Sequence, residues 1–270
     1  MIHGRDTPAG WHARSGEQAS AGSVSVAVSP DRTSMGRAAA TDAAEAILRA
    51  IADFGRARVV FASAPSQREM LSALAARDDL DWSRVEAFHM DEYVGLPATA
   101  PQAFGQWLRD HLFAHVTGGH LNVIDPAAPP QAEAKRYGAL VLSEPLDLVC
   151  LGIGENGHLA FNEPHQARLE DDRAARVVEL DLKSRQQQVS DGQFGHLDLV
   201  PTTAITLTVP TLLSARTIVG TVPGSSKAIA VAAALDGPIG TECPASFLRT
   251  HDTVYLHLDQ AAAARLDRRS

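Results

Sequence analysis

The sequence predicts an α/β protein, a Rossmann-like, mostly parallel sheet with helices on both faces, built as a single domain. Three observations carry that expectation. From Ser23 onward, short apolar runs alternate with helical patterns, as βαβ units require. The run Leu146 to Ile153 (LDLVCLGI) is nearly continuous in apolar residues, the mark of a strand covered on both faces. No Pro-, Gly- or Ser-rich linker divides the stretch from Ser23 to the C-terminus of this 270-residue chain.

The elements follow in order. Residues 1–22 carry Arg5, Asp6, Arg14 and Glu17 and lack an apolar core, so they read as a flexible N-terminal extension and not as a signal peptide. Domain 23–270 begins with Val24, Val26 and Val28, which alternate with smaller residues as in a strand. A helix is expected over 34–54, with Ile47, Leu48, Ile51 and Phe54 on one face and Gly55 as its stop. A strand at 58–62 leads to a helix at 66–76, and a short strand at 85–88 to a helix at 104–116. A helix at 131–143 precedes the buried strand 146–153. Strand 217–222, helix 228–235 and closing strand 253–258 complete the pattern.

Composition narrows the function. Lys and Arg number 24 against 32 Asp and Glu, a net charge of −8, which excludes a general nucleic-acid binder. Two cysteines, Cys150 and Cys243, are too few for a disulfide scaffold and point to a reducing, cytoplasmic setting. No stretch approaches the roughly 20 apolar residues that cross a bilayer, so no membrane partner is expected.

In a parallel sheet, ligands sit beyond the carboxyl ends of the strands, and four loops there carry chemistry. Phe61 to Ser66 (FASAPS) joins a strand to a helix; its small residues permit close approach, and the helix start offers N–H groups to an anion. The same residues would also make a plain turn capped by Ser66. Phe88 to Leu96 holds adjacent carboxylates, Asp91 and Glu92, suited to a base or to a helix cap. Leu151 to Pro164 holds three glycines, Asn156, His158 and Glu163. His158 can move protons near neutral pH, oriented by Glu163 or Asn156. The G-x-G-x-x-G of Gly152, Gly154 and Gly157 is followed by Asn162, Glu163 and Pro164 instead of an apolar helix, which argues against a dinucleotide site. A metal held by His158, Glu163 and His165 lacks a recognised ligand spacing. Val222 to Lys227 brings Gly224, Ser225, Ser226 and Lys227 to a helix start, the logic of a phosphate cradle without Walker A spacing. A parallel sheet gathers these loops on one edge, implying proton transfer on a phosphorylated small molecule.

Three motifs, MDEYVGL (Met90 to Leu96), GxNGHLAFNEP (Gly154 to Pro164) and GSSKA (Gly224 to Ala228), resemble the glucosamine-6-phosphate deaminase/isomerase family, which shares its fold with 6-phosphogluconolactonases. The match runs from about Ser23 to the last strand. The resemblance implies conversion of glucosamine 6-phosphate and water to fructose 6-phosphate and ammonium, with no metal or organic cofactor. It implies that Asp91 moves the proton between C2 and C1, that His158 opens the ring and that Glu163 orients His158. Glu92 and Gly157, neighbours in the same motifs, are implied on the substrate side. Lys227 and its loop (Gly224, Ser225), Ser63 and Arg185 are implied on the phosphate side.

Three departures stand out. Asn156 replaces a usual Asp, the first loop is FASAPS where a Gly- and Thr-rich loop is usual, and residues 165–172 lack the serines of allosterically activated forms. Allosteric regulation is therefore not carried over. Alternatives are a galactosamine 6-phosphate enzyme, a lactonase-like hydrolase, and a non-catalytic sugar-phosphate sensor. Family members range from monomers to hexamers, so a homo-oligomer is compatible with the resemblance.

Overall fold

The computed structural model describes residues 10–13, 23–190 and 192–266. Its strands are β1 (Gly10–Ala13), β2 (Ser23–Ser29), β3 (Ala57–Phe61), β4 (Val85–His89), β5 (Asp91–Tyr93), β6 (His120–Asn122), β7 (Leu148–Leu151), β8 (Ala175–Glu179), β9 (Thr203–Leu207), β10 (Thr217–Val222) and β11 (Val254–Asp259). Its helices are α1 (Arg32–Phe54), α2 (Arg68–Ala75), α3 (Phe104–His111), α4 (Pro130–Val141), α5 (Leu182–Ser190), α6 (Val209–Leu212) and α7 (Ala228–Asp236).

Eight strands form one parallel sheet in the order β1-β2-β11-β10-β7-β3-β4-β6. Successive residues of a strand point to opposite faces, and here both faces are covered. Val149 and Leu151 enter one core with α4 and α7, while Leu148 and Cys150 enter the other with α1 and α2. This two-sided burial accounts for the apolar run around β7. The long α1 starts where the Asp31 carboxylate accepts from Ser34 N–H at 2.7 Å, and it ends at Gly55, whose φ is +80°. That left-handed turn suits glycine.

The structure departs from the expectation in two regions, and it adds β6, α5 and α6, which the sequence pattern did not place. Part of the N-terminal extension, β1, is an edge strand parallel to β2, while residues 1–9 and 14–22 lie outside the described residues. A second, three-stranded antiparallel sheet, β5-β9-β8, sits beside the main one. Sequence pattern did not mark it, because β5 has three residues and β8 and β9 mix polar with apolar side chains. This small sheet matters for function: it pairs Asp91 with Thr206 and so fixes where the β4–β5 junction points.

Candidate active site

Loops leaving β2, β3, β4, β7 and β10 surround one cleft of about 380 Å³ at the carboxyl edge of the sheet. A small metabolite fits such a volume.

The loop after β7 builds the imidazole site. Gly157 has φ +86°, and a Cβ on it would lie 2.5 Å from Cys243 Sγ. Gly154 answers a different demand: a Cβ there would run into the His158 ring. The glycines of G-x-G-x-x-G therefore make room for an imidazole and a cysteine. Gly157, expected on the substrate side, is not among the residues lining the cleft.

Hydrogen bonds then fix the ring. A carboxylate only accepts, so the Asn156 amide nitrogen donates to Glu163 Oε2, at 2.5 Å. That leaves Asn156 Oδ1 to accept from the His158 backbone N–H at 3.2 Å and to face Nδ1 at 2.8 Å. Glu163 Oε1 lies 3.1 Å from the same Nδ1. Two acceptors on one ring nitrogen place the proton on Nδ1. Nε2 is the nitrogen left for the cleft, which His158 lines.

Glu163 itself is 1% exposed. Burial raises its pKa, but donors outweigh burial: the His158 ring, the Ser184 hydroxyl at 2.5 Å and the Asn156 amide hold it at about 2. The turn between His158 and Glu163 forces Ala160 to φ +51°, a conformation that costs energy outside glycine. Asn162 staples that turn, donating to Leu159 O at 2.9 Å and Leu207 O at 2.8 Å, while Arg176 donates to its Oδ1 at 3.1 Å. His165, the third member of the considered metal set, stands outside beside Asp181, and among the described residues no group of three His, Cys, Asp or Glu is placed to hold an ion.

Asp91 also lines the cleft but is held differently. It is buried, and among the described residues its carboxylate has no hydrogen-bond partner. Burial and the adjacent Glu92 charge raise its pKa well above the carboxylate range. Behind it, the Tyr137 hydroxyl accepts from His89 N–H at 2.9 Å and donates to His89 O at 2.7 Å. The buried His89 ring accepts from Ile124 N–H at 2.9 Å, and burial lowers its pKa to about 3, so it is neutral.

Glu92 is a correction to the sequence reading. Its carboxylate turns from the cleft and accepts from Tyr93, Phe104 and Gly105 N–H at 3.0, 3.0 and 2.9 Å, closing the start of α3. The orphan N–H groups of a helix start attract a carboxylate. Arg185 is a second correction. Its guanidinium donates to the carbonyls of Leu197 and Val200 at 2.8 and 2.9 Å and is not among the residues lining the cleft.

The opposite end of the cleft suits an anion. Ser63 lines it with a buried hydroxyl that has no hydrogen-bond partner among the described residues. Gly152 lets the first loop approach: a Cβ there would lie 3.1 Å from Ser66 Oγ. Buried Gln67 ties this loop to β10, donating to Thr221 O at 3.2 Å. Gly224, with φ +96°, Ser226 and Lys227 complete the end. The Gly224 N–H is committed to Asp259, at 2.9 Å, and Ser225 is not among the lining residues.

Sequence reading missed Arg32, which lines the cleft, pairs with Glu69 at 3.0 Å and donates to Pro65 O at 2.9 Å. It is the first residue of α1, where the loop after β2 enters the helix, a fifth strand-to-helix junction at the same edge, and that position was its signal. Ser184, Gln187 and Gln188 on α5, and Gln193, were missed as well. Their stretch is polar, and no motif marks it.

The chain is similar to known proteins over most of its length. The family model for glucosamine-6-phosphate isomerases/6-phosphogluconolactonase matches residues 30–256. A glucosamine-6-phosphate deaminase of Exiguobacterium is 40% identical over 190 residues, 70% of this chain and 73% of that protein. One from Lactobacillus delbrueckii is 33% identical over 221 residues, 82% of this chain and 92% of that one. A solved monomeric glucosamine-6-phosphate deaminase superimposes with TM-score 0.81 at 28% identity, covering 89% of this chain and 99% of that one. A 6-phosphogluconolactonase of Shewanella baltica, at 18% identity and TM-score 0.74, covering 87% of this chain and 97% of its own, shares the fold.

Proposed function

Because this chain belongs to the family of glucosamine-6-phosphate isomerases and 6-phosphogluconolactonases, we propose that it is a deaminating isomerase of amino sugar phosphates. It converts glucosamine 6-phosphate and water to fructose 6-phosphate and ammonium. The observation that carries the reading is the pairing of an Nδ1-protonated His158 with a bare, buried Asp91 on one cleft. A lactone hydrolase needs the first group and has no use for a carbon base.

The phosphate lies among Ser63, Ser66, Arg32, Ser226 and Lys227, where hydroxyls and two cations meet loop N–H groups. His158 Nε2 takes the proton of the C1 hydroxyl and returns one to the ring oxygen, opening the ring. Nδ1 stays protonated throughout, and Glu163 stabilises the imidazolium. Asp91 takes the proton from C2 and delivers it to C1; its raised pKa brings its basicity closer to that of the carbon acid. Water then adds at C2 and the amine leaves as ammonium. Asn156, a neutral amide, supplies the acceptor that a carboxylate would otherwise give His158.

The test is ammonium release by the purified protein from glucosamine 6-phosphate and galactosamine 6-phosphate in parallel, with the ketose phosphate followed in the same tubes. Ammonium from glucosamine 6-phosphate, matched by ketose, supports the reading. Ammonium from the galactose epimer alone moves it to that substrate, and silence on both overturns it.

A further inference from the structure

Ser184 lies near the start of α5, two residues into the helix. The Asp181 carboxylate accepts from its backbone N–H at 2.7 Å, which fixes that helix start. The Ser184 side chain is 6% exposed and donates to Glu163 Oε1 at 2.5 Å. That is the oxygen facing His158 Nδ1 at 3.1 Å, while the other oxygen is held by Asn156. Glu163 is thus gripped at both oxygens by side chains from two separate elements. The next turn of α5 carries Gln187 and Gln188 into the lining of the cleft.

We propose that Ser184 is a positioning residue for the reaction: it sets the rotation of the Glu163 carboxylate and so the strength of the acceptor on His158 Nδ1. This rests on the role given to Glu163 and His158 above. Because α5 both grips Glu163 and lines the cleft, a sugar seated against the two glutamines fixes the helix that fixes the proton relay. The charged groups around the relay are Asp91, which lines the same cleft, Glu155 on the loop that carries His158 itself, Asp181 and His165 beside the start of α5, and Arg176 through Asn162.

Without the hydroxyl, Glu163 Oε1 keeps His158 as its partner and becomes a stronger acceptor. The imidazolium is then favoured, so the His158 titration moves up. The test compares wild type, Ser184→Ala and Ser184→Thr, with the ring nitrogens of 15N-histidine-labelled protein followed across pH and His158 assigned from a His158→Gln sample. Expected are the Nδ1–H tautomer in wild type, a titration raised by about half a pH unit in Ser184→Ala, and wild-type behaviour in Ser184→Thr, which keeps the hydroxyl. In turnover, Ser184→Ala lowers kcat about tenfold with KM within about twofold. An unmoved His158 titration in a folded Ser184→Ala protein overturns the proposal, as does a loss confined to KM. The nitrogen spectra need no turnover, so a protein silent on both amino sugars would still decide the role of Ser184.

Discussion

Two buried carboxylates flank one imidazole under opposite conditions: Asp91 lines the cleft with His158, and Glu163 stands behind the ring at Nδ1. Glu163 has a donor on each oxygen and is held at about 2. Asp91 has burial, a neighbouring negative charge and no hydrogen-bond partner among the described residues, and its pKa rises. Hydrogen bonds to the charged form create one kind of group and desolvation creates the other. A saturated carboxylate orients and stabilises without exchanging protons. A bare one is a base with nothing to hold its proton except the substrate. Glu92, adjacent to Asp91 in sequence, has its oxygens filled by three backbone N–H groups, so of two neighbours in one motif one lines the cleft and the other builds a helix start.

The comparison breaks most readily at Asp91. Asp91→Asn should lower turnover at least about 1000-fold, the full worth of a positioned base. It should leave the melting temperature unchanged or higher at pH 7, since it removes a buried charge. The sign follows from linkage: a raised pKa favours the fold at low pH and loses that benefit as pH rises past the ordinary carboxylate value. A melting temperature that fell sharply would assign Asp91 a structural role.

Glu163→Gln should cost about 100-fold in kcat and, unlike Asp91→Asn, about 5 °C in melting temperature. Glu163 titrates at about 2 in the fold against its ordinary 4.5. Its stabilisation is therefore complete above about pH 4.5 and is lost as pH falls toward 2. The variant should lack that part of the acid slope in a pH series of thermal melts.

Gly154→Ala should cost about tenfold in kcat, because its methyl displaces the His158 ring, with KM moved less. Asn156→Asp should move the acid limb of the kcat/KM profile up by about one pH unit, as a second carboxylate beside Nδ1 favours the imidazolium. Arg185→Gln should leave KM within about twofold, since its guanidinium serves Leu197 and Val200.

The sequence carried much of this account in particular places. Periodicity located α1 to α4, α7 and six of the eight parallel strands, because strands such as β3, β7 and β10 are buried on both faces and declare it in apolar residues; β1 and β6, at the two edges, and the short or polar α5 and α6 carried no such pattern. Asp91, His158 and Glu163 were legible, since motif spacing put them after strands. The three-residue β5 carried too little pattern to show the small sheet. Arg185 sits beside Ser184, and only the register of α5 decides which of the two reaches the site. Arg32 was hidden because a helix start reads as capping before it reads as chemistry.

The most direct measurement of the central claim follows solvent deuterium by proton NMR during turnover of glucosamine 6-phosphate by wild type and Asp91→Asn. The account predicts deuterium at C1 of the ketose phosphate with wild type, and neither ketose nor exchange at C2 with Asp91→Asn. Exchange by Asp91→Asn at the wild-type rate would contradict it and place the carbon base elsewhere in the cleft.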